Sequence, residues 1–219
     1  MATRTVLADL AVACRDLIGL ALDIESVGGV DAARRVQAGE VFDLVFLASD
    51  AIERLIGGGY VIAGSRVDLM RSGVAVAVRK GAAHPDIATS AALRQTVRAA
   101  PSFSLSTGPS GVALSRLFEQ WGIAQEIAPR MVQAPPGVPV GTLVARGDVA
   151  LGFQQFSELM HSEGIDVLGP LPSDIQITTT FSAGVSSTTG RSDEARRVID
   201  FMASRHAELA KRRQGMEPA

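Results

Sequence analysis

A single cysteine, Cys14, leaves this chain of 219 residues unable to close a disulfide on itself. It shares an apolar helical face with Leu7, Leu10 and Leu17, which reads as a core thiol rather than a nucleophile. Aromatic residues are scarce, at 5% with one tryptophan and one tyrosine, so platforms for stacking bases or sugars are poorly supplied. Basic charge holds no excess. The 21 Lys and Arg face 23 Asp and Glu, and no basic stripe is present to attract a nucleic acid. His84, His161 and His206 are scattered, and without a second cysteine no metal site or other cofactor is expected. No apolar run reaches the length of a membrane span. Met1-Ala-Thr-Arg4 leads straight into an amphipathic pattern, without the basic start, apolar stretch and cleavage site of an export signal. As written, the chain reads as cytoplasmic.

What the chain does have is apolar content, 47% of its residues, arranged as alternating strand-like and helix-like segments. The spacing predicts a helix over Val6–Gly19, a strand over Leu20–Glu25, and a helix over Val30–Gly39. A strand over Phe42–Leu47 and a helix over Ala51–Ile56 follow. Gly73–Arg79 is a β-branched strand, Thr89–Ala99 a helix, Ser102–Leu105 a strand and Ser110–Trp121 a helix. The proline-rich loop 134–139 precedes a helix over Val138–Arg146, with Pro139 suited to the first turn. Val149–Phe153 is a strand, a helix starts near Ser157, and Asp166–Leu168 and Ile175–Val185 are extended. Ser192–Arg213 is helical with a break near Ser204.

Short buried strands separated by helices indicate an α/β protein with mostly parallel sheets. Extended segments near 74–79 and 178–185 are candidates for crossings between two lobes, residues 1–76 with 182–219 and residues 77–181. A ligand is then expected in the cleft between the lobes.

Four strand-to-helix junctions carry small or polar residues. Ser106-Thr-Gly-Pro-Ser-Gly111 ends an apolar run in hydroxyls at Ser106, Thr107 and Ser110, with no side chain at Gly108 or Gly111. A helix start has backbone N–H groups without intrahelical partners and a partial positive charge, so such a junction admits a small anion. It equally suits a plain helix cap. Ser26-Val-Gly-Gly29 offers Gly28 and Gly29 for close backbone approach or positive φ. Ser49 or Asp50 is a natural N-cap, and Gln154 or Gln155 stands at a strand's carboxyl end.

Enzyme signatures are mostly missing. Gly108-Pro-Ser-Gly111 lacks the second spacing of a nucleophile elbow, and Gly57-Gly58-Gly59 lacks the Lys-Ser/Thr of a phosphate-binding loop. Glu158 at a helix start suits capping, or proton transfer if its pKa is unusual. Arg71 and Arg79 flank the crossing strand, suited to the surface or to neutralising a carboxylate.

Taken together, Val30–Glu40, Phe42–Asp50, Gly73–Gly81, the Ser110-Gly111 helix start and Leu143–Glu158 resemble the molybdate-binding type of bacterial extracellular solute-binding protein. The tail segments Gly169–Pro172, Phe201–Ser204 and Gly215–Pro218 fit the same pattern, so the resemblance spans nearly the whole chain. It implies a type II periplasmic binding fold whose two α/β lobes close on a small anion. It assigns Ser26, Gly28 and Gly29 to the anion on lobe one, and Ser110, the Val138 helix start and Gln155 on lobe two. Ser49, Thr107 and Gly111 join them as residues of the same junctions. Gln155 stands where molybdate binders usually carry tyrosine, and glutamine with Arg71 tolerates a carboxylate. The implied function is capture of an oxyanion or organic carboxylate for an ABC-type permease, in the periplasm. The subgroup also resembles aconitate isomerases, which shift a double bond in an unsaturated tricarboxylic acid. A cytoplasmic ligand sensor is the third reading.

Relatives in this family carry a first strand and a serine-bearing loop ahead of the helix that begins here near Val6. The expectation is that this strand is lacking and that Met1 is an internal methionine of a longer protein. If instead the chain is complete, Thr3 and Arg4 are expected near the anion.

Overall fold

A computed structural model describes residues 2–135 and 137–219. Met1, read above as an internal methionine, and Pro136 of the proline-rich loop lie outside the described residues. In chain order the elements are α1 (Arg4–Ile18), α2 (Gly29–Gln37), β1 (Leu44–Ala48), α3 (Ser49–Gly57) and β2 (Val67–Arg79). Then come α4 (Ser90–Ala99), β3 (Phe103–Leu105), α5 (Pro109–Gln120), α6 (Ala124–Ile127), β4 (Met131–Gln133) and α7 (Val140–Arg146). The remainder is β5 (Leu151–Gln155), α8 (Phe156–Leu159), β6 (Ile165–Pro170), β7 (Thr178–Val185), α9 (Ser192–Ala203), α10 (Glu208–Arg213) and β8 (Glu217–Pro218). Internal contacts divide the chain into two compact units, Met1–Arg71 with Thr179–Ala219, and Ser72–Thr178. The chain passes from one to the other inside β2 and again at the start of β7.

In the first unit, β1 pairs antiparallel with β7 and β8 pairs antiparallel with the amino-terminal part of β2. Helix α1 buries Val6, Leu7, Leu10 and Cys14 in a core shared with Val198, Ile199 and Met202 of α9. Cys14 is fully buried, and desolvation pushes its thiol up to about 11. Leu17, placed above on the same face, is instead exposed near the helix end. Gly19 closes α1 at a φ of 70°, a left-handed conformation that glycine adopts without a Cβ penalty. A second cluster, including Val36, Val45, Ile52 and Leu55, lies among α2, β1 and α3.

The expected strand over Leu20–Glu25 is not one. Leu20, Leu22 and Ile24 do face the core while Ala21, Asp23 and Glu25 face water. Alternation reports only which side of an extended chain is buried. A strand also needs a neighbour to pair with its backbone, and no ladder forms here.

The second unit is built on a sheet to which β2 contributes its carboxyl-terminal part. Parallel pairing holds for β3 with β4 and with β5, while β2 pairs antiparallel with β5 and β6. One face carries Val74, Val76, Phe103, Leu105, Leu151 and Phe153, packed against Leu93 and Val97 of α4 and Leu114 and Phe118 of α5. Phe103, Phe118 and Phe153 meet edge to face at 5.8–6.4 Å, and each contributes about 1.5–3 kcal/mol by burial. The other face is built of small residues. The registers Ala75↔Gln154, Ala77↔Gly152 and Ser104↔Gly152 place Ala75, Ala77, Ser104 and Gly152 together. A Cβ on Gly152 would lie 2.5 Å from Val144 and 2.8 Å from Val140, so α7 seats against this face at a distance that only glycine permits.

Candidate functional site

The three parallel strands β4, β3 and β5 run the same way, with Leu105 aligned to Gln133 on one side and to Phe153 on the other. Their carboxyl ends therefore share one edge of the second unit. From that edge the chain enters α5 through Ser106–Gly108, α7 through residues 134–139, and α8 directly after Gln155.

The β3–α5 junction is tightly determined. Gly108 caps α5 in an extended conformation, Pro109 takes the first helical position, and Gly111 N–H returns to Gly108 O at 3.0 Å. Ser110 is 3% exposed, and its hydroxyl lies 3.2 Å from that of Ser106. Gly111 is indispensable for space: a Cβ there would sit 1.8 Å from the Ser106 carbonyl oxygen. Thr107 is exposed at the tip of the turn. Thr107, Ser110 and Gly111 thus belong to one junction, and Gln155 ends the adjacent strand, 3% exposed and aligned with Val74 of β2.

The neighbouring junction corrects one expectation. The Val138 helix start was expected to offer backbone donors to an anion, with Pro139 in the first turn. Pro139 is instead the N-cap of α7, and Val138 N–H already donates to Pro135 O at 3.0 Å. Val140 N–H, the first of the helix, donates to Gln154 Oε1 at 2.8 Å. The side chain of a buried strand residue thus caps α7, which a reading of local sequence does not reveal.

That bond orients a further one. With Oε1 held by Val140, the Gln154 amide turns its Nε2 toward Glu158 and donates to Oε2 of that carboxylate. Among the described residues no arginine, lysine or histidine forms an ion pair with Glu158. Burial is the largest influence and pushes its carboxyl above the usual range, and the Gln154 hydrogen bond is among the smaller influences that oppose it. Beside it, Ser157 and Ser72 bring their buried hydroxyls within 3.3 Å, a pair that the β-branched run around Ser72 gave no reason to expect.

The first unit's junctions are looser. Gly28 caps α2 without a side-chain bond, and neither Gly28 nor Gly29 has positive φ. A Cβ on Gly29 would meet Leu47 Cδ2 at 3.6 Å, and one on Gly28 would meet Asp31 Oδ2 at 3.6 Å, both ordinary contacts. Ser26 is exposed. The preceding Glu25 is held by Arg35 at 2.6 Å, and Arg35 also binds Glu40 and lies over the Phe42 ring at 5.2 Å. Ser49 is the first residue of α3 rather than its cap, a place taken by Ala48, and Asp50 pairs with Arg54 at 2.8 Å. Thr3 is the N-cap of α1 without a side-chain capping bond, and Arg4 is exposed on a helix that packs against α9 and α10. Arg71 donates to Pro218 O at 3.1 Å.

The class to which this architecture belongs is clear from sequence as well. The model of the family described as bacterial extracellular solute-binding protein matches residues 1–217, and the chain belongs to that family. Among individual proteins, the chain is 37% identical over 216 residues to an aconitate isomerase from a Pseudomonas species, covering 96% of this chain and 82% of the relative. Its fold is similar to that of the periplasmic molybdate-binding protein of Azotobacter vinelandii, with a TM-score of 0.80 at 18% identity over 98% of this chain and 94% of the other. A tungstate-binding protein from Desulfovibrio alaskensis G20 gives a TM-score of 0.71 at 18% identity, over 97% and 92% of the two chains. The fold is thus the two-lobed α/β fold of type II periplasmic binding proteins.

Proposed function

We propose that the chain binds a small organic anion at the shared carboxyl edge of β3, β4 and β5, and that the ligand is a polycarboxylate. The observation that carries this reading is the Ser106–Gly111 junction. Gly111 has no room for a Cβ, and the turn it permits sets buried Ser110, with its hydroxyl and backbone N–H, at the strand end where a twelve-residue helix begins. Gln155 adds an amide from the neighbouring strand, a group suited to a carboxylate oxygen. Preference for a carboxylate over molybdate or tungstate is supported by the 37% identity to an aconitate isomerase, set against 18% to the molybdate and tungstate binders. In this reading the protein captures its ligand in the periplasm for an ABC-type permease.

A second reading, isomerisation of the bound tricarboxylate, is favoured by one specific observation. Glu158, a carboxylate that burial pushes above its usual range and that the Gln154 amide orients, sits three residues beyond Gln155. Both readings share the ligand and divide on turnover.

Thermal unfolding tests the binding step. A ligand that binds only the folded state at a hundredfold excess over Kd adds about 2.7 kcal/mol of stability. For a chain of this size that raises Tm by roughly 5–10 °C. The expected result is such a rise with cis- or trans-aconitate and little or none with molybdate, tungstate, sulfate or phosphate. A rise with molybdate alone overturns the carboxylate assignment, and no rise with any anion overturns binding. Conversion of cis- to trans-aconitate, followed by absorbance, separates the second reading from the first.

A further inference from the structure

Buried hydroxyls elsewhere in this fold have acceptors within it. Ser65 donates to Ile62 O at 2.6 Å and accepts from Val185 N–H at 3.0 Å, and Ser182 donates to Asp68 Oδ1 at 2.6 Å. Two hydroxyl pairs of the second unit differ. Ser106 meets Ser110 at 3.2 Å, and Ser72 donates to Ser157 at 3.3 Å. Among the described residues, none of these four side chains makes another hydrogen bond. Two hydroxyls carry two protons and their mutual bond uses one, so each pair keeps an O–H without an acceptor. In the second pair the spare proton is that of Ser157. Ser72 and Ser157 are buried, so a proton left undirected there is costly until an acceptor arrives.

Both pairs stand on one rim of one face. The face packed against α4 and α5 carries Leu105 of β3, Phe153 of β5 and Val74 of β2. Side chains alternate along a strand, and residues directly opposed in an antiparallel pair share a face. Gln155, two residues beyond Phe153 and aligned with Val74, therefore keeps to that face, as does Ser72, two residues before Val74. Helix α5 lies on the same face through Leu114 and Phe118, and Ser110 is in its first turn. Beyond the apolar row of Leu105, Phe153 and Val74 runs a polar one: Ser106 with Ser110, then Gln155, then Ser72 with Ser157. Glu158 is turned elsewhere, held by Gln154, whose side chain belongs to the opposite face under α7. Strands β3 and β2 flank β5, so the two pairs are carried two strand spacings apart, roughly 10 Å between backbones.

We infer that the Ser72–Ser157 pair is a second anionic subsite of this rim, taking one carboxylate of the ligand while the Ser106–Ser110 pair takes another. This inference rests on the polycarboxylate reading above and supplies a reason for more than one carboxylate. Across that spacing a compact oxyanion or a monocarboxylate engages one pair at a time, whereas a ligand with carboxylates at two positions engages both. The Ser157 O–H donates to the ligand oxygen, a charge-assisted hydrogen bond stronger than one between neutral groups. Ser72 is its positioning residue, because its own O–H holds the Ser157 oxygen and leaves the Ser157 proton to the ligand. The subsite selects by the number and separation of carboxylates. No covalent bond is made or broken, so it serves capture and turnover alike.

The test titrates two ligands into wild type, Ser157→Ala and Ser72→Ala by calorimetry: trans-aconitate, with three carboxylates, and crotonate, with one beside a like double bond. Loss of a hydrogen bond to a charged oxygen should weaken trans-aconitate by about 10–100-fold in Ser157→Ala. Ser72→Ala, which leaves the Ser157 oxygen unheld, should weaken it by about 3–10-fold. Crotonate should bind all three proteins alike, within about twofold, a split that mere loosening of β2 or α8 would not produce. If Ser110→Ala loses affinity for trans-aconitate while Ser157→Ala stays within about twofold of wild type, the second subsite is overturned and the carboxylate reading stands. If Ser157→Ala weakens both ligands equally, the pair supports the rim without holding a carboxylate, and the inference is likewise overturned. If folded wild type does not bind trans-aconitate, the polycarboxylate reading falls and the subsite falls with it.

Discussion

The two units solve the same local problem, the start of a helix after an extended segment, with opposite degrees of constraint. In the second, Gly111 is enforced by a backbone oxygen 1.8 Å from its absent Cβ, Ser110 is buried, and Gln154 caps α7. In the first, Gly28 and Gly29 each have 3.6 Å of clearance, Ser26 is exposed, and neither α2 nor α3 has a side-chain cap. Their partly or fully shielded charge-bearing side chains differ as well. Glu158 lies at the carboxyl edge under an oriented amide, whereas Lys211 of α10 lies 1% exposed beside the first core. Tight placement at the strand-to-helix junction is what supports the ligand site proposed for the second unit. Space and small side chains alone do not.

Substitution by alanine sharpens the contrast most strongly. Gly111→Ala must displace the Ser106 carbonyl, and the expected cost is about 3 kcal/mol with loss of ligand binding, measured by chemical denaturation and calorimetry. A cost under 1 kcal/mol would show that the junction yields and that its constraint means little.

Lys211 comes next. Its ammonium makes no hydrogen bond or ion pair among the described residues, and burial lowers its pKa, opposed by nearby Glu208. Because the folded state holds this proton less tightly than the unfolded chain, stability rises with pH between the lowered value and the ordinary lysine value. Lys211→Met should raise stability at neutral pH by about 1–2 kcal/mol and flatten that alkaline rise. An unchanged slope would mean the lysine is solvated.

Smallest is Gly29→Ala. The position has helical geometry and room for a methyl group, so stability should rise by about 0.5 kcal/mol. A loss instead would place the α2 start under constraint as severe as that at Gly111.

Much of this fold is legible because its signals are local. Gly19 ends α1, Thr89 caps α4 by accepting from Ala92 N–H at 3.1 Å, and Ser204 breaks the terminal helix where its composition predicts. Leu20–Glu25 misleads because side-chain alternation says nothing of a pairing partner. The site divides in the same way. Hydroxyls and glycines at 106–111 announce a helix start, yet the reason for Gly111 lies in a carbonyl placed by the folded turn. The Gln154 bond to Val140 spans fourteen residues and exists only once α7 seats on Gly152 and Ser104, so no local pattern reveals it. It removes the Val138 start from the donors and turns attention to Glu158.

The most direct measurement is a calorimetric titration of trans-aconitate into wild type and Ser110→Ala. Loss of a hydrogen bond to a charged oxygen weakens affinity by about 10–100-fold. The account predicts that loss in Ser110→Ala, with an unfolding temperature within a few degrees of wild type. Equal affinity in the two proteins would contradict it.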